Sequence, residues 1–86
     1  MLKKKEVNYK LERCRKERYC ESYLVINGND YYWTNDYEHA DLFGSIDILN
    51  KVVKEHNVDF DYKNHYYYIV EDIVPERVEY KEDKTC

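Results

Sequence analysis

The chain has 86 residues, of which 11 are tyrosine, two are glycine and one is proline, and its formal net charge is −4. A chain of this length forms one domain with a small core, and so few glycines exclude the glycine-rich loops that cradle nucleotides. No apolar run approaches the roughly 18 residues of a membrane span. Cys14, Cys20 and Cys86 are odd in number and have no C-x-x-C spacing. These features predict a cytoplasmic protein that contacts no membrane.

Charge is distributed unevenly along the chain. Residues 1–21 hold eight basic and four acidic side chains, a sum of +4, and the other 65 residues hold six basic and 14 acidic ones, a sum of −8. We interpret residues 1–86 as a single domain with a basic N-terminal segment, 1–18, and a flexible tail, 81–86. A basic segment beside an acidic body favours a homodimer, two surfaces for two partners, or merely solvated charge.

The first half of the chain predicts strands. Residues 7–13 alternate as a strand would, although a basic helix laid on the sheet is the alternative. Residues 19–27 are rich in β-formers, and Asn27-Gly28 supplies the residues of a type I′ turn before a returning strand at 31–34. Because side chains alternate along a strand, Leu24 and Ile26 should face the core. One of Tyr32 and Trp33 should join them there.

Between this hairpin and the next strands the pattern changes to that of a helix. Residues 35–44 predict a loop or helical turn with Ala40 and Phe43 leaning into the core. Ser45 is a suitable N-cap, and Asn57 can end the helix in the left-handed conformation. The helix, residues 46–56, turns four apolar side chains toward the core. They are Ile46, Leu49, Val52 and Val53.

The last third predicts further strands. Residues 58–62 alternate, 63–64 form a turn, and 65–70 are the strongest β segment and a candidate central strand. Ile73 and Val74 precede Pro75, which belongs at a strand end or sheet edge, and Val78 and Tyr80 alternate weakly. We therefore expect an α+β fold, a small and mainly antiparallel sheet with one amphipathic helix packed on one face.

No constellation with catalytic or metal-binding spacing stands out. His39, His56 and His65 lack the local i, i+4 pairing of a zinc site, and Asp59-x-Asp61 begins like a calcium loop but lacks its later ligands and glycine. Basic neighbours favour the thiolate of Cys14 and Cys20, yet their segment contains no histidine to act as base. We expect no enzyme activity, no cofactor and no metal.

Surplus tyrosine and acidic loops favour a protein-binding surface, since tyrosine anchors ringed by carboxylates suit a partner rich in Lys and Arg. The partner-binding residues we predict are Tyr31, Tyr32, Trp33, Asp36, Tyr37, Glu38, Tyr66 and Tyr67. The alternative is a small nucleic-acid-binding regulator that uses the basic segment and the sheet aromatics. The charge of −8 outside that segment disfavours direct nucleic-acid binding without excluding it.

The run from residue 23 to residue 57 contains a displayed hairpin and the sequence A-x-x-F-x-S, formed by Ala40, Phe43 and Ser45, at the entry to the helix. In these features the chain resembles small accessory proteins of phages and mobile elements of low-GC Gram-positive bacteria. The resemblance implies a protein that binds and inhibits a host protein, such as a nucleic-acid-handling defence nuclease, in the manner of anti-CRISPR proteins. It covers about half the chain and identifies no active site.

Overall fold

The computed structural model describes residues 8–18, 20–72 and 77–81. In these residues the chain forms a five-stranded sheet in the order β3-β2-β1-β4-β5, in which all neighbours are antiparallel. The strands are β1 (Tyr9–Arg15), β2 (Glu21–Asn27), β3 (Asp30–Thr34), β4 (His65–Glu71) and β5 (Arg77–Glu79). A 3-10 helix, Tyr37–His39, and one α-helix, α1 (Ile46–Glu55), lie between β3 and β4. The predicted α+β class is confirmed.

The strand predicted at residues 7–13 becomes β1, which lies in the middle of the sheet. It pairs with β2 on one side and with β4 on the other, as in Glu12↔Tyr23 and Leu11↔Ile69. The alternative of a basic helix is therefore wrong for these residues. β4, predicted as a central strand, is also interior because it pairs with β1 and with β5. Residues 9–15 consequently do not belong to a free basic segment, and residues 1–7 lie outside the described part.

The predicted hairpin is present, but its turn differs from the predicted type. Asn27 pairs with Asp30, so the two-residue loop is Gly28-Asn29 rather than Asn27-Gly28. Positive φ occurs at Gly28, where it is 63°, and not at Asn29. A type I′ turn needs positive φ at both central residues, whereas a type II′ turn needs it only at the first. The prediction of a type I′ turn is therefore wrong.

Helix α1 begins at Ile46 as predicted and ends at Glu55, one residue before the predicted His56. Ser45 Oγ accepts a hydrogen bond from the Ile48 amide at 3.1 Å, and Asn57 ends the helix with a φ of 50°. Leu49 and Val53 are fully buried. Ile46, also predicted to face the core, is exposed, because it is the first residue of the helix and has no preceding turn to pack beside it.

Helix α1 and the segment 58–61 cover one face of the sheet, which we call the helix face. Of Tyr32 and Trp33 it is Trp33 that turns inward with Leu24 and Ile26, and Ala40 and Phe43 are buried, as predicted. Residues 58–61 cross the core without pairing as a strand. The core cluster comprises Leu11, Leu24, Phe43, Leu49, Val53, Val58, Tyr67, Ile69 and Tyr80. The predictions for Ile73, Val74, Pro75 and residues 82–86 fall outside the described residues.

The connection from β3 to α1 passes from one face of the sheet to the other. After β3 the 3-10 helix lies across the face opposite α1. The chain then enters the gap between β2 and β1, where Asp41 Oδ2 accepts from the Ile26 amide at 2.6 Å and Phe43 forms a bridge with Tyr9. These contacts of Asp41 and Phe43 hold the chain in place between the 3-10 helix and α1.

Candidate functional site

The face of the sheet opposite α1, which we call the polar face, buries charged side chains. Lys10 and Glu12 of β1 point to this face because they alternate with Tyr9 and Leu11, which point to the core. Both charged residues are almost fully buried. Since a buried charge is costly unless it is paired, the groups that surround Lys10 and Glu12 decide what this face can do.

Glu12 is paired with an arginine from the far edge of the sheet. Its side chain is 2% exposed, and Arg77 Nε lies 3.1 Å from Glu12 Oε1. The same guanidinium lies 2.9 Å from Glu21 Oε1, and the Tyr23 hydroxyl donates to Glu21 Oε2 at 3.2 Å. Burial raises the pKa of Glu12, while Arg77 opposes that rise. Burial, followed by the charge of Glu12, also raises the pKa of Tyr23.

Glu12, Tyr23 and Arg77 line a cleft of about 660 Å³ together with Tyr37, Val70 and Asp72. Cys14 also faces this side of the sheet, but burial and the nearby Glu12 raise the pKa of its thiol. A raised thiol pKa disfavours the nucleophilic thiolate, so burial argues against a reactive Cys14. The cleft therefore offers a neutralised ion-pair network rather than an activated nucleophile.

Lys10 connects this network to the loop that contains the 3-10 helix. Its Nζ donates to the Tyr37 carbonyl at 2.8 Å, lies 3.2 Å from Asp72 Oδ1 and sits 3.3 Å from the centre of the Tyr37 ring. The edge of that ring meets Tyr23 at a centroid distance of 5.2 Å and an interplanar angle of 84°. One buried cation thus anchors both the backbone and the side chain of Tyr37.

The outer side of the same loop presents aromatic and acidic groups to solvent. Asp36 caps the 3-10 helix by accepting from the Glu38 amide at 3.1 Å, and Glu38 itself is exposed. The Tyr32 hydroxyl lies 2.8 Å from His39 Nε2, the two rings stack at 6.3 Å, and Tyr32 is 41% exposed. We call this surface the acidic loop patch: Tyr32, Asp36, Tyr37, Glu38 and His39.

Four of the eight predicted partner-binding residues, Tyr32, Asp36, Tyr37 and Glu38, thus come together in one patch. Tyr66 is 46% exposed on the polar face but lies on β4, beyond β2 and β1.

The other three predicted residues lie on the helix face, apart from the acidic loop patch. Tyr67 is 2% exposed, and its hydroxyl accepts from the Asp61 amide at 2.8 Å inside the core. Tyr31 and Trp33 are half-buried against the core. Alternation along β3 and β4 is the physical reason, because neighbours of exposed Tyr32 and Tyr66 must point the other way.

A basic pocket that sequence reasoning missed lies at the end of the sheet where β1 finishes. Arg13, Arg15 and His65 line it with Trp33, and its volume is about 290 Å³. The Arg13 guanidinium lies 4.6 Å from the centre of the Trp33 ring, and its Nε donates to Ser22 Oγ at 3.2 Å. Burial, followed by the charge of Arg15, lowers the pKa of Arg13. We call this the arginine pocket, and the spacing R-x-R in a strand is the signal that places both arginines on one face.

A second groove of about 440 Å³ adjoins the arginine pocket, with His65 lining both. Its walls are largely aromatic, and we call it the tyrosine groove. It is lined by Lys16, Tyr62, His65, Tyr66, Tyr67, Glu79, Tyr80 and Lys81. His65 Nδ1 is buried without a hydrogen bond, 3.6 Å from Asp61 Oδ2.

Comparison with known proteins gives no relative: no family model, curated protein or solved structure matches the chain. Within residues 8–18, 20–72 and 77–81, no group of three His, Cys, Asp or Glu side chains is placed to hold a metal ion. None of the helices in those residues has the length and apolar character needed to cross a bilayer.

Proposed function

We propose that the protein acts by binding, and that the acidic loop patch docks on a surface of a host protein that is rich in Lys and Arg. The observation that carries this proposal is the combination of an exposed tyrosine, Tyr32, with two carboxylates, Asp36 and Glu38, on a loop held from beneath by buried Lys10. Docking there blocks the basic surface and inhibits the host protein.

The anchoring of the loop supports this role energetically. A loop that is mobile before binding must lose conformational entropy on binding, and prior ordering removes that cost. Lys10, the Asp36 cap and the contact between Tyr37 and Tyr23 each restrict the loop in the free protein. The loop that carries the patch is therefore ordered before binding.

The chemistry of the patch supports a basic partner. Tyrosine supplies a large contact area with few rotatable bonds, and the flanking carboxylates steer the encounter with Lys and Arg. Enzymes that handle nucleic acid expose such basic surfaces to the phosphate backbone. The partner class we propose is accordingly a defence nuclease of the host, with this chain as a phage or mobile-element inhibitor of the anti-CRISPR type.

The uneven charge suggests a homodimer in which the basic segment of each copy lies on the acidic body of the other. Exchange of residues 1–18 between copies would remove β1 from the middle of its own sheet, where it pairs with two strands. A dimer that keeps β1 in its own sheet stays a prediction, and the proposed inhibition does not require one.

A nuclease inhibition assay tests the proposal. A purified RNA-guided DNA nuclease is incubated with the full chain, and the rate of target cleavage and direct binding are measured. We expect Tyr32→Ala to weaken binding by more than about 1 kcal/mol and Glu38→Lys to weaken it by a similar amount, with unchanged thermal melts.

Glu55→Lys is the matched control, because it reverses one exposed charge at the end of α1, far in sequence from the patch. It should bind and inhibit like the unmodified chain. Equal losses from Glu38→Lys and Glu55→Lys would contradict the patch. Absence of binding by the unmodified chain would contradict the partner class.

A further inference from the structure

The arginine pocket holds positive charge that no carboxylate among its described lining residues balances. Among the described residues that line it are two arginines and no carboxylate; the others are Cys20, Ser22, Trp33, Asn35 and His65. None of them belongs to α1, so the helix leaves this end of the helix face open. On a chain whose net charge is −4, such a concentration of cations attracts an anion.

The geometry of Arg13 is suited to a defined contact. The indole of Trp33 fixes the plane of the guanidinium from one side, and Ser22 Oγ engages Nε. The two terminal amino groups of Arg13 have no hydrogen-bond acceptor among the described residues. A planar guanidinium held in this way donates two parallel hydrogen bonds to phosphate oxygens, which a mobile lysine cannot do.

The adjoining tyrosine groove provides aromatic surface next to that cation. Tyr62 and Tyr66 are exposed, and Lys16 ties them together by donating to the Tyr62 carbonyl at 2.8 Å while its Nζ lies 4.8 Å from the centre of the Tyr66 ring. Proteins that bind single-stranded nucleic acid combine a positive groove with rings on which bases stack. Here both components border the same residue, His65.

We propose that this end of the sheet binds a short segment of single-stranded nucleic acid, with a phosphate in the arginine pocket and the neighbouring base against the rings of the tyrosine groove. An acidic or phosphorylated peptide would use the arginines and leave the rings without a role. Most carboxylates of the molecule lie outside the two cavities, and at physiological ionic strength charges are screened beyond about 8 Å. Glu79, which lines the tyrosine groove, and Asp61, 3.6 Å from His65, lie close to the site and limit the contact to one or two phosphates.

Trp33, the one tryptophan in the sequence, provides the probe, since it forms a wall of the arginine pocket. Its fluorescence is followed while the full chain is titrated with an oligothymidylate of about eight nucleotides, which spans one site of this type. We expect a saturable change whose affinity falls with salt at a logarithmic slope of about −1.4, the value for two phosphates on a single strand.

Two variants and a control locate the site. Arg15→Glu should weaken oligothymidylate binding about tenfold or more through loss of a charge-assisted hydrogen bond. Tyr66→Ala should weaken it about fivefold through loss of stacking, yet leave the binding of inorganic phosphate unchanged. Lys51→Glu, an exposed charge reversal on α1, should change the affinity less than about twofold, as expected for a screened distant charge. Thermal melts confirm that each variant is folded.

Parallel titrations with inorganic phosphate, a duplex of the same length and a phosphoserine peptide distinguish the ligands. Binding of oligothymidylate more tightly than all three supports the proposal. It is overturned if the peptide or the duplex binds as tightly, if Trp33 shows no saturable response to oligothymidylate, or if Arg15→Glu and Lys51→Glu have equal effects.

Discussion

The helix face and the polar face bury neighbouring residues of β1 to almost the same extent, but by different means. Leu11 is enclosed by apolar side chains, including Leu49 of α1, whereas Glu12, the next residue, is enclosed by Arg77 and Tyr23. Apolar burial is non-directional and tolerates many partners, while a buried charge is stable only with a specific one. The helix face therefore stabilises the fold, and the polar face holds the loop with the 3-10 helix in position.

The largest effect should come from placing a charge in the helix face. Leu49→Asp buries an unpaired carboxylate in the core and should unfold the domain at room temperature. Lys51→Asp, two residues along the same helix but exposed, should change the melting temperature only slightly. Thermal melts followed by circular dichroism compare the two. Greater damage from Lys51→Asp would show that the assignment of the helix face is wrong.

An intermediate effect should follow from breaking the ion pair of the polar face. Arg77→Met leaves Glu12 buried without its partner and should lower the free energy of unfolding at pH 7 by about 2 kcal/mol. This is less than the loss expected on breaking a fully buried ion pair, because the Arg77 side chain is 44% exposed. Glu12→Gln removes the charge and retains an acceptor for Arg77, so it should change stability by less than about 1 kcal/mol. Urea unfolding of both variants measures the difference.

The pH dependence of that difference has a definite sign. Because the folded state raises the pKa of Glu12, it binds this proton more tightly than the unfolded chain does, and the stability from the protonated form is lost as pH rises through the folded pKa. In Arg77→Met the positive charge that stabilises ionised Glu12 is gone, so the stability lost as pH rises is larger. The deficit of Arg77→Met relative to the unmodified chain should therefore be smaller at pH 4 than at pH 7. An equal or larger deficit at pH 4 would contradict the ionised pair.

The sequence predicted the helix face far better than the polar face. Apolar periodicity placed Leu24 and Leu49 in the core, because hydrophobic residues at spacings of two or of three to four indicate which side is buried. Lys10 and Glu12 fit the same alternation as outward-facing polar positions. Their burial depends on partners such as Arg77, 65 residues from Glu12 along the chain, and no local pattern records such pairing.

The sequence alone also could not assign the tyrosine run at residues 66–68 to the two faces of the sheet. Three identical residues in a strand must point to alternating faces, but their sequence does not say which of the two possible assignments applies. Pairing of β4 with β1 decides it, since Tyr67 aligns with Arg13 on the helix face and Tyr66 with Cys14 on the other. Tyr66 and Tyr67, predicted together as partner contacts, are for this reason separated.

The smallest effect on global stability, and the most local one, should come from Lys10→Met. This change preserves the length of the side chain but removes the hydrogen bond to the Tyr37 carbonyl and the ion pair with Asp72. We expect a loss of about 1–2 kcal/mol in unfolding free energy. Lys51→Met, on the exposed side of α1, is the matched control and should leave stability within about 0.5 kcal/mol.

Amide hydrogen exchange tests most directly whether the polar face holds the loop in place. In the unmodified chain the amides of Ala40 and Asp41, which donate to the Tyr37 and Leu24 carbonyls, should be protected. Lys10→Met should abolish protection at Ala40 while the amides that pair β1 with β4 remain protected, and Lys51→Met should change neither. Unprotected exchange at Ala40 in the unmodified chain, or unchanged protection there in Lys10→Met, would contradict the claim that buried Lys10 positions the acidic loop patch.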